Sequence, residues 1–245
     1  MRTILSILLL SAAVSAAAES DPGALTLPAT KDVRVTCHRD EADFNGGASP
    51  RLRTSNIKQN AAEVTLLDVD RAALAAFLEK NKDKTIAAKL VLVSRGLHHG
   101  SSAKVELAAL DTDSDWIEGD KNAAKAVKGE PTFLAAQFET KLWTGADGKE
   151  VANLRDLFYD TAADTVKTPL NAHTLTVKAS EEDKEVSFDL DAKFLTHVAT
   201  DAHCKGLILF NRDRNMLADF YSREQDGKGA KLVLTITEPQ ARQGN

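Results

Sequence analysis

The chain is short of the residues that most often announce a chemistry. It has two cysteines, two tryptophans, two tyrosines and two methionines in 245 residues, and aromatics make up only 5%. Two cysteines allow at most one disulfide. There is no G-x-S-x-G elbow, P-loop, H-E-x-x-H helix or C-x-x-C pair, so the common local signatures of enzymes are missing. Basic residues are in deficit too, 31 against 36 acidic for a net charge of −5. That balance argues against general nucleic-acid binding and leaves room only for a local basic patch. After residue 18 no stretch is long and apolar enough to span a membrane.

What is present begins with an export signal. Arg2 supplies a positive start, Ile4 to Leu10 and the Ala/Val run after it an apolar centre, and Val14-Ser15-Ala16 or Ala16-Ala17-Ala18 a small-residue cleavage site. Residues 1–18 are therefore expected to be removed and the protein secreted, to the extracellular space or a periplasm; a retained anchor is the alternative. The rest carries a net charge of −6. Export makes a Cys37–Cys204 disulfide plausible, and two buried free thiols are the other reading. Residues 19–30 read as a linker, 31–238 as one domain and 239–245 as a tail.

The C-terminal run, Gly206 to Thr237, states the architecture most clearly. Gly206 to Phe210 is apolar throughout, as a strand buried on both faces must be. Met216, Ala218 and Phe220 alternate with Leu217, Asp219 and Tyr221. Leu232, Leu234 and Ile236 share one face of a last strand. Further strands are expected at Asp32–Cys37, Arg51–Thr54, Glu63–Val69, Thr85–Val93, Lys104–Leu110, His173–Lys178 and Glu185–Leu190. Asp70 and Asp191 are placed to cap short helices, and helical turns are expected at 122–127 and 151–158. LLDVDRAALAAF before KLVLV echoes SFDLDAKFLTHV before GLILF, strand, short helix, strand each time. Nine or ten short strands with two or three small helices predict an all-β sandwich, most specifically a jelly roll.

These residues also carry a resemblance. Asn45-Gly46-Gly47 with Pro50-Arg51-Leu52, then Asp68-Val69-Asp70, the strand Ala88 to Val93, Asp115-Trp116-Ile117-Glu118-Gly119, Gly206-Leu207, and Tyr221-Ser222-Arg223-Glu224 before Lys231-Leu232-Val233 occur in the order seen in secreted DNRLRE-domain sandwiches. The chain resembles that family over residues 31–238. The family is in turn similar to carbohydrate-binding modules of the alginate-binding type. The resemblance implies a non-catalytic jelly-roll module that binds polysaccharide or builds surface structure.

An acidic polysaccharide such as alginate needs Arg and Lys donors for its carboxylates. The candidates are Arg51, Arg53 and Lys58 in one stretch, and Arg212, Arg214 and Arg223 in the C-terminal turns, with Tyr221 to pack on a sugar ring. Each has a bland reading as a surface charge with a neighbouring acid, Glu224 for Arg223. The alternative partner is a cell-surface or extracellular protein, and a polysaccharide lyase or hydrolase stands third, for which a cleft joining His98 or His99 to Tyr221 and an arginine is required. No cofactor is expected. Asp111, Asp113 and Asp115 head an acidic run that is the one candidate for structural Ca2+, against a solvated turn beside a buried Trp116. His197, His203 and Cys204 lie close enough in sequence to share a metal, while a disulfide through Cys204 is the simpler use of that thiol. Both tryptophans read as core.

Overall fold

The computed structural model describes residues 23–38, 40–59, 61–167, 173–213 and 216–237. The signal at 1–18, positions 19–22 of the expected linker, the tail at 239–245 and Arg214 lie outside the described residues. Ten strands form one antiparallel hydrogen-bonded sheet: β1 (Ala24–Thr36), β2 (Arg51–Ser55), β3 (Glu63–Val69), β4 (Thr85–Leu97), β5 (Ser102–Asp111), β6 (His173–Lys178), β7 (Glu185–Leu190), β8 (Cys204–Asn211), β9 (Leu217–Tyr221) and β10 (Lys231–Thr237). Their order is β6-β5-β8-β3-β1-β10-β4-β9-β2, with β7 also paired to β4. Late strands lie between early ones: β8 between β5 and β3, β10 between β1 and β4, β9 between β4 and β2. This interleaving is jelly-roll-like.

Two long strands turn the path into a sandwich. β1 pairs with β10 through 24–28 and, after an irregularity at Ala29/Lys31, with β3 through 31–36. β4 pairs with β10 and β7 through 85–93 and with β9 from Ser94 onward. One layer is thus β6-β5-β8-β3 and the second half of β1. The other holds β7, β4, β10 and the first half of β1, continued by β9 and β2. Residues 24–30, expected as a linker, are therefore strand. Leu27 is buried there and the Ala29 amide bonds to the Ala230 carbonyl at 2.8 Å.

The first layer is buried on both faces, and its sequences show it. Leu67 and Val69, Val105, Leu107 and Ala109, and Leu207 and Leu209 enter the core between the layers. Val64 and Leu66, Ala108 and Leu110, and Ile208 and Phe210 enter a second core on the outer side. That second core is closed by the irregular segment 112–167, which brings Trp116, Phe133, Trp143, Leu154, Phe158 and Tyr159. Both tryptophans are core, their indole N–H groups donating to the carbonyls of Lys205 at 2.9 Å and Thr132 at 3.0 Å.

A segment with so little regular structure must satisfy its backbone through side chains. Glu130 accepts from the amides of Asp120 and Val127, each at 2.8 Å. Asn45 donates to the carbonyls of Glu118 and Pro131, each at 3.0 Å. Gly47 is required beside it, since a Cβ there would stand 2.3 Å from the Glu118 oxygen. The Asn-Gly-Gly segment is thus a clamp that fastens the cover to the sheet. The helical turn expected at 122–127 is instead a two-residue ladder, Ala124–Lys125 against Phe44–Asn45.

The helices fall where the caps placed them. Asp70 accepts from the Ala73 amide at 2.9 Å at the head of α1 (Arg71–Lys80), and Asp191 from the Phe194 amide at 2.8 Å at the head of α3 (Ala192–Thr200). The helical turn expected at 151–158 is α2 (Arg155–Phe158). The repeated strand-Asp-helix-strand pattern has a structural use: α1 carries the chain from the first layer to the second and α3 carries it back. Leu74 of α1 and Phe194, Leu195 and Val198 of α3 fill the core between the layers.

The expected disulfide is absent: Cys37 and Cys204 are free thiols. β1 and β8 both run antiparallel to β3, so they are parallel to each other. Cys37 follows the end of one and Cys204 begins the other. The two thiols lie at opposite ends of the layer, several residues apart at about 3.3 Å each, well beyond disulfide reach.

Candidate functional site

The basic residues picked out in the sequence do not form one patch. Lys58 and Arg212 share Asp164, at 2.5 and 3.9 Å, and Arg212 also binds Glu106 at 2.5 Å. Arg223 pairs with Glu118 at 3.2 Å and donates to the Thr30 carbonyl. Its partner is thus Glu118, 105 positions upstream, where Glu224 had been expected. Behind it the buried Asp32 accepts from the Arg223 amide at 2.8 Å through Oδ2, while Oδ1 has no hydrogen-bond partner among the described residues. Burial pushes the Asp32 carboxyl up from 3.8 to about 7, against the bond from Arg223 and with help from the Glu118 charge.

Arg51, Arg53 and Tyr221 do come together. In the β2–β9 ladder Tyr221 faces Arg51 and Asp219 faces Arg53. Leu52, Ala218 and Phe220 point to the core, so strand alternation sends these four to the other side. Arg53 grips both oxygens of Asp219, at 2.6 and 3.0 Å, and lies 3.3 Å from Glu63, which also meets Arg34 at 3.3 Å. His98, at the end of β4, places Nε2 2.9 Å from Asp219 and 3.0 Å from Arg53. Burial raises the Glu63 carboxyl, opposed by Arg34 and Arg53. Burial pushes Asp219 the same way, but Arg53 and His98 outweigh it and hold that carboxyl below its usual range. Arg53 is a structural member of this network.

Arg51 is different. It is half-exposed, and its nearest acid, Asp219, stands at 4.0 Å, already engaged with Arg53. Next to it the Tyr221 ring has Lys228 at 3.9 Å and Arg95 at 4.9 Å from its centroid, and its hydroxyl donates to Asp183 at 2.7 Å. The outer face of β4–β9–β2 therefore sets Arg51 beside one aromatic ring, on which Arg95 and Lys228 stack, Lys228 being paired with Asp183 at 2.9 Å. Arg95 and Lys228 were not singled out in the sequence. Only the register of β4 and the turn after β9 bring them in. The arginine–tyrosine–histidine grouping required of a lyase is partly assembled here, although His98 is occupied by Asp219 and Arg53.

The acidic run does not converge on a calcium site. Asp111 turns to His197 at 2.7 Å, Asp113 to His203 at 2.5 Å, Asp115 to Lys205 at 3.2 Å and Asp120 to Lys121 at 2.5 Å. One of these contacts forms a new cluster. Asp111 is the cross-strand partner of Cys204 in the β5–β8 ladder, and His197 of α3 lies over both. One ligand atom from each of the three lies within 4.8 Å of the others. A cleft of about 580 Å3 opens beside them, lined in part by Asp111, His197, Asp201 and His203. No family model matches this chain, and no curated protein matches it.

Proposed function

We propose that this protein binds an acidic polysaccharide of the alginate class on the outer face of β4–β9–β2, without catalysis. The observation that carries the reading is the Tyr221–Arg51 cross-strand pair. It sets an aromatic ring, which packs on a sugar face, beside a half-exposed guanidinium that matches a carboxylate. Arg95 adds charge at the same place on a net acidic protein, and Lys228 adds to it although paired with Asp183 at 2.9 Å. Binding at this face depends on Arg51, Tyr221, Lys228 and Arg95. Arg53 positions the strand pair, while Lys58, Arg212 and Arg223 lie in separate ion pairs. The resemblance to DNRLRE-domain sandwiches and the export signal belong to the same proposal.

Affinity electrophoresis of the protein from residue 19 onward, in gels containing alginate, a neutral glucan or no glycan, tests it. Alginate should retard the protein, added salt should relieve the retardation, and Arg51→Ala with Lys228→Ala should weaken it about tenfold or more, as loss of two charge-assisted contacts requires. No retardation by any acidic glycan refutes the reading. One observation favours a second reading, docking to an extracellular protein: four large exposed apolar residues, Ile117, Val127, Leu134 and Leu142, all fall in the segment that covers the second core.

A further inference from the structure

We propose that Asp111, His197 and Cys204 form a binding site for a divalent transition metal of the zinc class. The three donors sit on separate, well-held elements. Asp111 ends β5, Cys204 begins β8 directly opposite it, and His197 occupies the last turn of α3. Their ligand atoms lie within 4.8 Å of one another. Zinc bonds of about 2.0 Å to nitrogen and oxygen and about 2.3 Å to sulfur need donors roughly 3.3–3.5 Å apart. Small side-chain adjustments supply that spacing, moving Asp111 and His197 apart from their present 2.7 Å contact and drawing Cys204 in.

The surroundings suit such an ion. His197 presents Nε2 to Asp111, and its other ring nitrogen, Nδ1, lies 3.6 Å from Asp201 Oδ2. A carboxylate behind a ligating histidine orients the ring and raises its basicity. Cys204 is fully buried and Asp111 and His197 partly so, which shields the sulfur while leaving one side of the cluster open to the cleft. That cleft carries more carboxylates than amines, Asp147, Glu150 and Asp156 among them against Lys149 and Lys167. It draws cations. One nitrogen, one sulfur and one oxygen donor select zinc or cobalt over calcium or magnesium, which take oxygen. Three protein ligands leave a fourth position facing the cleft. His203 lines the cleft but is not among the groups whose ligand atoms converge.

The test strips the protein with a chelator and titrates it with Co2+ and then Zn2+. One equivalent of Co2+ should give tetrahedral ligand-field bands and a thiolate-to-metal charge-transfer band, and Zn2+ should displace it. Cys204→Ser should abolish the charge-transfer band, His197→Gln should weaken Zn2+ affinity at least tenfold, and Cys37→Ser should change neither. Circular dichroism confirms that each variant is folded. If the Cys204 variant does not fold, the wild-type charge-transfer band and the His197→Gln affinity decide. Absence of that band in the wild type overturns the proposal, as does its loss in Cys37→Ser or unchanged affinity in His197→Gln.

Discussion

Asp32→Asn should remove a share of stability that the wild type loses as pH rises. Asp32 is fully buried, with one oxygen bonded to the Arg223 amide and the other without a partner, and Glu118 close by. Its carboxyl titrates at about 7 in the folded protein against 3.8 when exposed. Between those values the folded state holds a proton that the unfolded chain has released. Stability from this group is therefore complete below about pH 4 and drains away as pH rises through about 7. A gap of about three pH units at 1.36 kcal/mol each is about 4 kcal/mol in total, of which about 2–3 kcal/mol is lost between pH 5 and pH 8. Asparagine keeps the carbonyl that accepts from Arg223, adds two donors beside Glu118 and cannot ionise. Urea unfolding of both proteins at the two pH values measures the difference. The variant should gain on the wild type by about 2–3 kcal/mol on going from pH 5 to pH 8. A gap between the two proteins that does not change with pH would show that Asp32 is not buried as described.

Arg53→Ala should cost about 3 kcal/mol by removing the cation that Asp219 and Glu63 share, leaving them only His98 and Arg34, whereas Arg51→Ala should stay within about 1 kcal/mol; chemical denaturation separates them. Asp191→Ala removes the α3 cap and should lower stability by about 1 kcal/mol, a melting shift of about 2–4 °C. Gly206→Ala should lose at least about 2 kcal/mol, since φ is +138° there and the new Cβ would stand 2.4 Å from the Leu67 carbonyl oxygen.

Local pattern carried a good deal of this fold. Gly206–Phe210 is apolar at every position because the first layer has a core on each side, and the aspartates at 70 and 191 mark helix starts because an orphan amide lies three residues on. What depends on register was not legible. Arg223 finds Glu118 and Asp111 finds His197 and Cys204 only after strands far apart in sequence are paired. The same holds for the cysteines, which belong to paired regions yet sit at opposite ends. The first half of the long first strand was not legible because Pro28 reads as linker; it sits beside the register irregularity at Ala29/Lys31, where a strand tolerates a proline. On the candidate face, the alternation of Arg51 and Arg53 around Leu52, and of Asp219 and Tyr221 around Phe220, was visible. That the two alternations face each other was not.

The most direct test of the glycan reading is a residue-resolved one: amide shifts of the isotope-labelled protein titrated with short alginate oligosaccharides. The account predicts that the shifted amides cluster on β2, β9 and the Ser94–Leu97 end of β4, with Arg51 and Tyr221 among the largest and the second core's cover unmoved. Shifts confined to the 112–167 cover, or none anywhere, would contradict it.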